Sequence, residues 1–317
     1  MNKAGAAGRA VLRERAALYR DIRTFFQQRD VLEVETPLLC SAGVTDPSLE
    51  PLVVERGESI ATVRYLQTSP EYAMKRLLAA GSGPIFQIAR AFRDGEAGTR
   101  HNPEFSLLEW YRPGFGHHQL MAEVAELVHA CLGPRTVSYH AYRQLFLDTL
   151  GLDPFTAHTD ALRARAARDI DLGALSGGRD MWLDMLMSHL VEPQLAGRGL
   201  CFVYDYPPTQ AALARIVERG GTPVGERFEL YVDGLELANG YHELCDAAEQ
   251  RARFEADNRR RREYGQPQQP LDEYLLAALD SGLPDCSGVA LGLDRLLMLR
   301  TGIEDIRQVL AFDWQAC

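Results

Sequence analysis

The spacing of apolar residues along the chain predicts a mixture of helices and strands. Over 9–29 apolar residues recur at helical intervals with charges between them, which indicates an amphipathic helix. The segment 31–39 (VLEVETPLL) then alternates as a strand and contains Pro37. Strand spacing gives way to helical spacing over 65–78, and a helical period returns over 117–132. No linker, repeat or low-complexity tract divides this pattern, so one large domain is expected.

The segment 83–112 (GPIFQIARAFRDGEAGTRHNPEFSLLEWYR) is predicted to be a hairpin with a long polar loop. Arg93 closes the first strand, Asn102 lies in the loop and Phe105 opens the second strand. A guanidinium group suits a phosphate and an aromatic ring suits a flat base, so these residue types favour a nucleotide site. A basic loop on an ordinary surface hairpin has the same spacing.

The segment 286–302 (CSGVALGLDRLLMLRTG) begins as a strand of small residues and becomes an amphipathic helix after Gly292. A glycine at this junction lets a ligand approach the backbone closely. Arg295 lies in the first helical turn, where its charge opposes the helix dipole at a cost of roughly a few tenths of a kcal/mol. The position therefore favours a ligand-binding role, and a solvent-facing arginine is the alternative.

The segment 226–244 (ERFELYVDGLELANGYHEL) contains Asp-Gly between two apolar runs, the signature of a two-residue hairpin turn. Equal distance from the turn places Tyr231 opposite Glu236. Glu229 lies two residues before Tyr231 and shares its face, so the two carboxylates are predicted to point the same way. A hard cation such as Mg²⁺ would satisfy both, and two solvated glutamates on an exposed sheet are the alternative.

A further helix start lies at Ser69-Pro70-Glu71. Ser69 is suited to cap the helix, Pro70 to occupy its first position and Glu71 to face its positive end. This capping role is sufficient to explain the three residues without a ligand.

Together, Phe92-Arg93, the run His-Asn-Pro-Glu-Phe at 101–105, and GVALGLDR at 288–295 resemble motifs 2 and 3 of class II aminoacyl-tRNA synthetases. The resemblance extends over 13–312 and is closest to the lysyl-tRNA synthetase subclass, including its short paralogues that ligate beta-lysine to elongation factor P. It implies an α+β fold with a mainly antiparallel sheet flanked by helices, as a single catalytic domain over 1–317. It also implies a homodimer, because the helix and strand at the start resemble motif 1, which builds the dimer interface.

The resemblance implies that ATP and Mg²⁺ take part in forming an aminoacyl-adenylate. Arg93 would hold the α-phosphate and the substrate carboxylate, while Phe105 and Arg295 would enclose the adenine. The implied ATP-binding residues are Arg93, Asp94, Gly95, Asn102, Phe105, Glu236, Leu237, Gly292 and Arg295. The implied catalytic residues are Arg93, Glu236 and Arg295, and the implied metal ligands are Glu229 and Glu236.

An amino-acid site is implied by the same resemblance. Glu71 would pair with the ammonium group near the reacting carboxylate, whereas Glu243 and Tyr111 would receive the side-chain ammonium group of a lysine isomer. The implied substrate-binding residues are Ser69, Pro70, Glu71, Tyr111, Glu243 and Ala290. Ala290 stands where the synthetases commonly have glycine, so we hypothesise that its methyl group helps to select beta-lysine over alpha-lysine.

Charge and composition limit the possible partners. A net charge of -10 argues against a protein that grips a nucleic-acid backbone, so stable tRNA binding is not expected. The basic run at 259–264 is interpreted as a solvated helix face. The six cysteines lack metal-ligand spacing, and His117, His118 and His129 form no tight ligand pair, so no zinc site is expected. Neither a membrane span nor a signal peptide is apparent, which predicts a cytoplasmic protein.

Two features separate the chain from lysyl-tRNA synthetases. The first predicted helix begins after about ten residues, which leaves no room for the anticodon-binding OB-fold domain of that family. The loop also reads Arg93-Asp94-Gly95-Glu96, with its acid displaced by one position from the synthetase motif. ATP contact is therefore assigned to the segment and not to Glu96 itself. Three functions follow: a ligase for elongation factor P, an enzyme with a tRNA or small-amine acceptor, and an inactive regulatory binder.

Overall fold

A nine-stranded sheet and a three-stranded sheet are formed by the residues that the computed structural model describes, namely 7–55, 63–173, 175 and 177–317. The strands are β1 Leu32–Glu33, β2 Leu39–Cys40, β3 Val53–Val54, β4 Arg64–Leu66, β5 Ile85–Phe92, β6 Glu104–Pro113, β7 Val137–Ala141, β8 Leu200–Tyr206, β9 Ile216–Arg219, β10 Thr222–Val232, β11 Leu235–His242 and β12 Cys286–Gly292. The large sheet has the order β1-β5-β6-β12-β11-β10-β8-β7, with β9 paired to β10, and the small sheet has the order β2-β4-β3. The strands from β5 to β8 in this order pair antiparallel, and the outer pairs β1–β5 and β7–β8 are parallel.

Helices cover both faces of the large sheet. They are α1 Arg9–Gln27, α2 Glu71–Ala79, α3 His117–Leu132, α4 Tyr142–Leu150, α5 Thr159–Ala166, α6 Arg179–Leu186, α7 Ala247–Glu263, α8 Glu273–Gly282 and α9 Leu293–Thr301. The main core joins α1, α3 and α9 to one face of the sheet. On the other face, α4 to α6 pack near β8, and α2, α7 and α8 pack near the β5 end. A cleft remains between these two helix groups. The predicted α+β fold, with a mainly antiparallel sheet flanked by helices, is confirmed.

Alternation along the central strands gives the two faces different chemistry. Trp110 and Phe228 point into the main core. Their neighbours Glu109, Tyr111 and Glu229 point to the cleft face, because successive side chains of a strand lie on opposite sides. The strand pattern thus builds an apolar core and a polar cleft from the same segments.

The predicted hairpins are confirmed, whereas the predicted strand at 31–39 is wrong. Phe92 pairs with Glu104 at the open end of the long loop, and Val232 pairs with Leu235 across the two-residue turn. The segment instead contributes Leu32 and Glu33 to the large sheet and Leu39 to the small sheet, with Pro37 between them. Proline has no backbone N–H to donate, so a continuous ladder is not favoured there.

The basic run at 259–264 is not uniformly solvated. Arg261 is completely buried, and its guanidinium donates to the carbonyl oxygens of Pro267, Asp46 and Leu49 at 2.6, 3.0 and 3.2 Å. It also contacts the carboxylate of Glu50. The interpretation as a solvated face is therefore wrong for Arg261, which fastens α7 to the segment before β3.

The cysteines and the helices bear on the expected reducing compartment and the expected lack of a membrane span. All six cysteines are free thiols. Within the described ranges, none of the helices combines the length and apolar character needed to cross a membrane. The predicted domain spans 1–317, and residues 1–6 lie outside the described part.

Candidate active site

The cleft encloses a cavity of about 1400 Å³. It is lined by the predicted residues Ser69, Pro70, Glu71, Arg93, Asn102, Phe105, Tyr111, Glu236, Leu237, Glu243, Ala290, Gly292 and Arg295. Asp94 and Gly95 lie outside this lining, and Glu229 lines an adjoining cavity of about 160 Å³ together with Glu236. Segments far apart in the chain therefore meet in one cleft.

Arg93, at one end of the cavity, has an N–H donor without a hydrogen-bond partner. Its Nη1 lies 3.6 Å from Glu96 Oε1, and its guanidinium carbon lies 5.0 Å from the centre of the Phe105 ring. Its Nε is buried without a hydrogen-bond partner. An anionic ligand would satisfy this donor, since a buried unpaired N–H is costly. Glu96 thus reaches Arg93 despite its displaced position in the motif.

Arg295 joins α9 to the β5–β6 loop and to β11. Its Nη1 donates to Glu236 O at 2.8 Å, its Nε donates to Arg100 O at 3.3 Å, and its Nη2 lies 2.6 Å from His101 Nε2. A methyl group placed on Gly292 would meet only the Arg295 side chain, at 3.7–3.8 Å. The end of β12 therefore leaves open space beside Arg295 that a ligand is able to fill.

Asn102 is buried and both of its polar groups are engaged. Its Nδ2 donates to Glu104 O at 2.6 Å, and its Oδ1 accepts from Trp314 N at 3.2 Å. These bonds fix the loop before Phe105. A contact of Asn102 with adenine stays a prediction.

The turn between β10 and β11 places the two predicted metal carboxylates together. Tyr231 pairs with Glu236, as predicted. Glu229 accepts hydrogen bonds from Tyr231 at 2.5 Å, Tyr206 at 2.7 Å and Arg227 at 2.5 Å, and it is therefore held in one orientation. The side chain of Glu236 is 42% exposed to the cleft and lies 3.5 Å from Arg295 Nη1.

The donor set in the smaller cavity suits a hard cation. Glu229 and Glu236 supply carboxylate oxygens, which are the ligands that Mg²⁺ prefers. The sequence did not indicate Glu192, whose carboxylate lines the same cavity on a short 3₁₀ turn after α6. Burial and the nearby charge of Glu236 raise the pKa of Glu192 to about 7. Like charges that repel in this way are stabilised by a bound cation.

At the opposite end of the cavity, Glu71 and Glu243 flank one lysine, and Glu109 interacts with both carboxylates. Lys75 Nζ lies 2.7 Å from Glu71 Oε1 and 2.6 Å from Glu243 Oε2. Glu71 and Glu243 are thus neighbours across a single nitrogen, closer together than the two ends of an extended diamino acid. The resemblance instead implies that Glu71 and Glu243 bind opposite ends of the substrate. The ammonium group of Lys75 between them was not predicted from the sequence.

Glu109 is the second residue here that sequence reasoning missed. Its Oε2 accepts from Ser69 Oγ and its Oε1 accepts from Tyr111 OH, both at 2.7 Å. Ser69 Oγ also accepts from the Glu71 backbone N–H at 3.0 Å, but α2 begins at Glu71, so the prediction of Pro70 as the first helical residue is wrong. The hydroxyl groups of Ser69 and Tyr111 therefore orient Glu109 toward the cavity.

Titration of these groups reflects their burial. Burial, and then the charge of Glu71, raises the pKa of Glu109 to about 8. Burial alone would lower the pKa of Lys75, but Glu243 and Glu71 raise it, so Lys75 is an ammonium group. Glu243 Oε1 is buried without a hydrogen-bond partner. This end of the cavity is consequently suited to cationic substrate groups, since uncompensated buried carboxylates are costly.

His117, Glu226 and His242 form a separate buried cluster whose ligand-type atoms lie within 4.8 Å of one another. Arg215 contacts Glu226, and Arg219 Nη2 lies 2.7 Å from Glu226 Oε1. Although burial opposes ionisation, hydrogen bonds from His242 and Arg215 hold the pKa of Glu226 at about 2. Resident cations thus neutralise this carboxylate, and the cluster is an ion-pair network.

Comparison with known proteins identifies the relatives of this chain. The family model described as tRNA synthetases class II (D, K and N) matches residues 5–315. A protein of Pseudoalteromonas translucida (strain TAC 125), named elongation factor P--(R)-beta-lysine ligase, is 48% identical over 315 residues, covering 98% of this chain and 97% of the relative. Proteins of the same name are 50% identical over 307 residues in Klebsiella pneumoniae (strain 342) and 49% identical over 309 residues in Edwardsiella ictaluri (strain 93-146). These two alignments cover 95% and 96% of this chain and 94% of each relative.

Proposed function

The chain belongs to the class II tRNA synthetase family (D, K and N), and from this we propose that it is a ligase for elongation factor P. It activates (R)-beta-lysine with ATP and transfers the beta-lysyl group to a lysine side chain of that protein. Sequence identity of 48–50% to relatives with this printed name supports the proposal. Because the alignments cover nearly the full length of both chains, we propose both steps of the reaction, activation and transfer, for this chain.

The observation that carries the proposal is the acidic end of the cavity. Glu109 and Glu243 are buried and Glu71 is half-buried, and the one resident cation, Lys75, pairs with Glu71 and Glu243. A substrate with two ammonium groups neutralises the charge that remains, whereas a substrate with an apolar side chain does not. The cavity therefore favours a diamino acid.

Activation takes place at the other end of the cavity. The carboxylate oxygen of beta-lysine attacks the α-phosphorus of ATP, the bond to the bridging oxygen breaks, and pyrophosphate leaves. The free donors of Arg93 bind the α-phosphate and the attacking carboxylate, and they stabilise the charge that develops between them. Arg295 and Phe105 hold the adenine on either side, so the reacting groups are positioned before they meet.

Glu229 and Glu236 are the residues that would hold Mg²⁺, with Glu192 as a third carboxylate beside them. Bound there, Mg²⁺ would supply charge neutralisation to the pyrophosphate oxygens of ATP. Tyr206, Tyr231 and Arg227 keep Glu229 in position for this role. The fixed glutamate and the exposed Glu236 together suit an ion that retains several water ligands.

Transfer requires an amine from the acceptor. The neutral ε-amine of an elongation factor P lysine attacks the carbonyl carbon of the adenylate, forming an amide bond as AMP leaves with the bonding electrons. The proton released from the amine passes to solvent or to AMP. No covalent bond to the protein is needed at either step.

The setting of the reaction is part of the proposal. We place the protein in the cytoplasm, because free cysteines suit a reducing compartment. We propose a single catalytic domain that acts as a homodimer. The net charge of -10 favours a protein acceptor over stable binding of tRNA.

ATP–pyrophosphate exchange with alpha-lysine, (R)-beta-lysine and (S)-beta-lysine tests the activation step. We expect exchange to be fastest with (R)-beta-lysine. Glu243→Gln should lower kcat/KM for this substrate by about tenfold or more, because it removes a charged partner from a desolvated ammonium group. The matched control is Glu273→Gln, at an exposed glutamate on α8 that pairs with Arg251. Absence of exchange with all three amino acids would contradict the proposal.

A further inference from the structure

Lys75 is one of the most deeply buried charged side chains among the described residues. It is 1% exposed and lies on α2, four positions after Glu71. Surface lysines gain little from an ion pair, whereas a lysine taken out of water requires close carboxylates. Lys75 has two such partners, Glu71 at 2.7 Å and Glu243 at 2.6 Å.

We propose that Lys75 is a positioning residue that fixes Glu71 and Glu243 for a substrate with two ammonium groups. This inference rests on the proposed function, and it assigns a role to a side chain that the reaction itself does not consume. The two carboxylates come from α2 and from the residue after β11, so no local backbone geometry relates them. The ammonium group of Lys75 is the atom group that both of them share.

The first argument concerns geometry. Lys75 binds Glu71 through Oε1 and Glu243 through Oε2, so one oxygen of each carboxylate is left for another partner. Glu243 Oε1 is buried and has no hydrogen-bond partner. It lies in front of Gly288, where an added methyl group would come within 2.6 Å of it. Glu243 lines the cavity, and with Oε2 paired to Lys75 its Oε1 is the oxygen that remains for a substrate ammonium group.

The second argument concerns charge. Without Lys75, the carboxylates of Glu71 and Glu243 would face each other in a buried site and one would retain a proton. A protonated carboxyl is a poor partner for an ammonium ion. With Lys75 present, the three carboxylates including Glu109 exceed the resident cation by two charges when all are ionised. That excess equals the number of ammonium groups on a diamino acid.

If Lys75 only filled space in the core, its mutation would have a different effect. Loss of packing would lower stability and weaken all substrates together. Loss of positioning raises KM for the diamino acid and leaves KM for ATP unchanged, because the nucleotide end of the cavity is formed by other segments. It also introduces a titrating group, since the unpaired carboxylates now share a proton near neutral pH.

The experiment compares wild-type protein with Lys75→Met and Lys75→Ala in ATP–pyrophosphate exchange with (R)-beta-lysine. We expect KM for beta-lysine to rise by about tenfold or more, with kcat changed less and KM for ATP unchanged. In both variants log(kcat/KM) should depend more steeply on pH between about pH 6 and 9 than in the wild type, because a further carboxyl group then titrates beside Glu109. Arg251→Met, which removes an exposed cation paired with Glu273, is the control and should match the wild type.

Chemical rescue separates positioning from folding. Lys75→Ala leaves a space where most of the lysine side chain had been. Added propylammonium or butylammonium ions should fill it and lower KM for beta-lysine most of the way back to the wild-type value. The same amines should not improve the wild type or Lys75→Met, whose side chain fills the space. Rescue of KM in Lys75→Ala, but not in Lys75→Met or the wild type, would identify the missing charge as the cause.

An unchanged KM and pH profile in both variants would overturn the inference. A parallel loss for ATP and beta-lysine, without rescue by either amine, would also overturn it. The proposed function fails separately, through a wild-type protein that shows no exchange with any diamino acid. In that event, melting curves of Lys75→Ala with and without butylammonium still test whether the cation joins the two carboxylates.

Discussion

Glu109 has an unusual place, because it is a carboxyl group within an apolar strand and is 2% exposed. Burial, and then the charge of Glu71, raises its pKa to about 8, against hydrogen bonds from Ser69 and Tyr111 that lower it. The other charged groups at this end of the cavity are Glu243 and Lys75. Below about pH 8 the free protein therefore keeps Glu109 protonated, whereas a bound ammonium group favours the ionised form.

The affinity for beta-lysine should accordingly depend on pH. We expect KM to fall as the pH rises from about 6.5 to about 8.5, because less work is then needed to ionise Glu109. Glu109→Gln should have a higher KM with a flatter profile over this range. Exchange assays across this range provide the test, and identical slopes in the two proteins would show that another group titrates.

Ala290 tests substrate selection by a single methyl group. Its neighbours across the strands are Glu109 on β6 and Asn239 on β11, so it belongs to the floor of the cavity. Ala290→Gly should shift the preference between alpha-lysine and beta-lysine by about 1–3 kcal/mol, or roughly 10–200-fold in the ratio of kcat/KM values. Competition between the two amino acids in the exchange assay measures this ratio directly. An unchanged ratio would remove Ala290 from the selection mechanism.

Residues carried by short motifs were predictable, and residues defined by burial were not. Arg93, Glu243 and Arg295, which the resemblance to known motifs assigns to the site, line the cavity. Glu109 gave a weaker signal, an acid at an alternating position in the apolar run LLEWY. Lys75 stands four residues after Glu71, a spacing typical of an ordinary surface ion pair. Only the tertiary fold brings Glu243 to the same nitrogen.

At the scale of elements, turn chemistry was a better guide than strand alternation. Asp233 and Gly234 have φ values of 52° and 82°, as the predicted two-residue turn requires. This turn fixes which side chains of β10 and β11 share a face. The segment 31–39 alternates equally well, yet it serves two different sheets. Local alternation carries no information about which partner strand is available.

Strand β12 must pass close to the ring of Tyr111. A methyl group on Gly288 would lie 2.2 and 2.4 Å from two ring carbons and 2.6 Å from Glu243 Oε1. Gly288→Ala should therefore destabilise the protein by about 1–3 kcal/mol or more and raise KM for beta-lysine, because the ring and the carboxylate must shift. Thermal melting together with exchange kinetics measures both effects.

Gly98→Ala is the matched control for this change. A methyl group at Gly98 meets no atom within 4 Å, so the melting temperature should be nearly unchanged. Equal melting temperatures for Gly288→Ala and the wild type would contradict the close packing of β12 on β6.

At the scale of the whole molecule, the cleft is formed between two helix groups on one face of the sheet. Its nucleotide end depends on the β5–β6 loop and on the start of α9, and its acidic end depends on α2 and on the residues after β11. The family fold could be predicted because its motifs lie in these segments. The middle of the chain carried no such motif, and so the contribution of Glu192 emerged only from the structure.

The proposed homodimer can be tested by mutating exposed apolar residues in the short strands that follow α1. Leu32 and Leu39 are 58% and 41% exposed, which favours burial against a partner. Sedimentation should give about twice the chain mass of 35.3 kDa. Leu32→Glu combined with Leu39→Glu should shift the protein toward the monomer.

Phe312→Glu provides the control, because Phe312 is also exposed, at 55%, but lies near the other end of the chain. It should leave the sedimentation of the protein unchanged. A wild-type protein that sediments as a monomer at micromolar concentration would contradict the proposed dimer.

Intact mass of elongation factor P after incubation with the protein, ATP, Mg²⁺ and (R)-beta-lysine tests the central claim most directly. We predict a gain of one beta-lysyl group, dependent on ATP and abolished when the acceptor lysine is replaced. Arg93→Ala should slow the gain by roughly 10²–10³-fold, since it removes the donors to the developing charge. An unmodified factor, in the presence of a protein that still forms the adenylate, would contradict the account of this chain as a protein ligase.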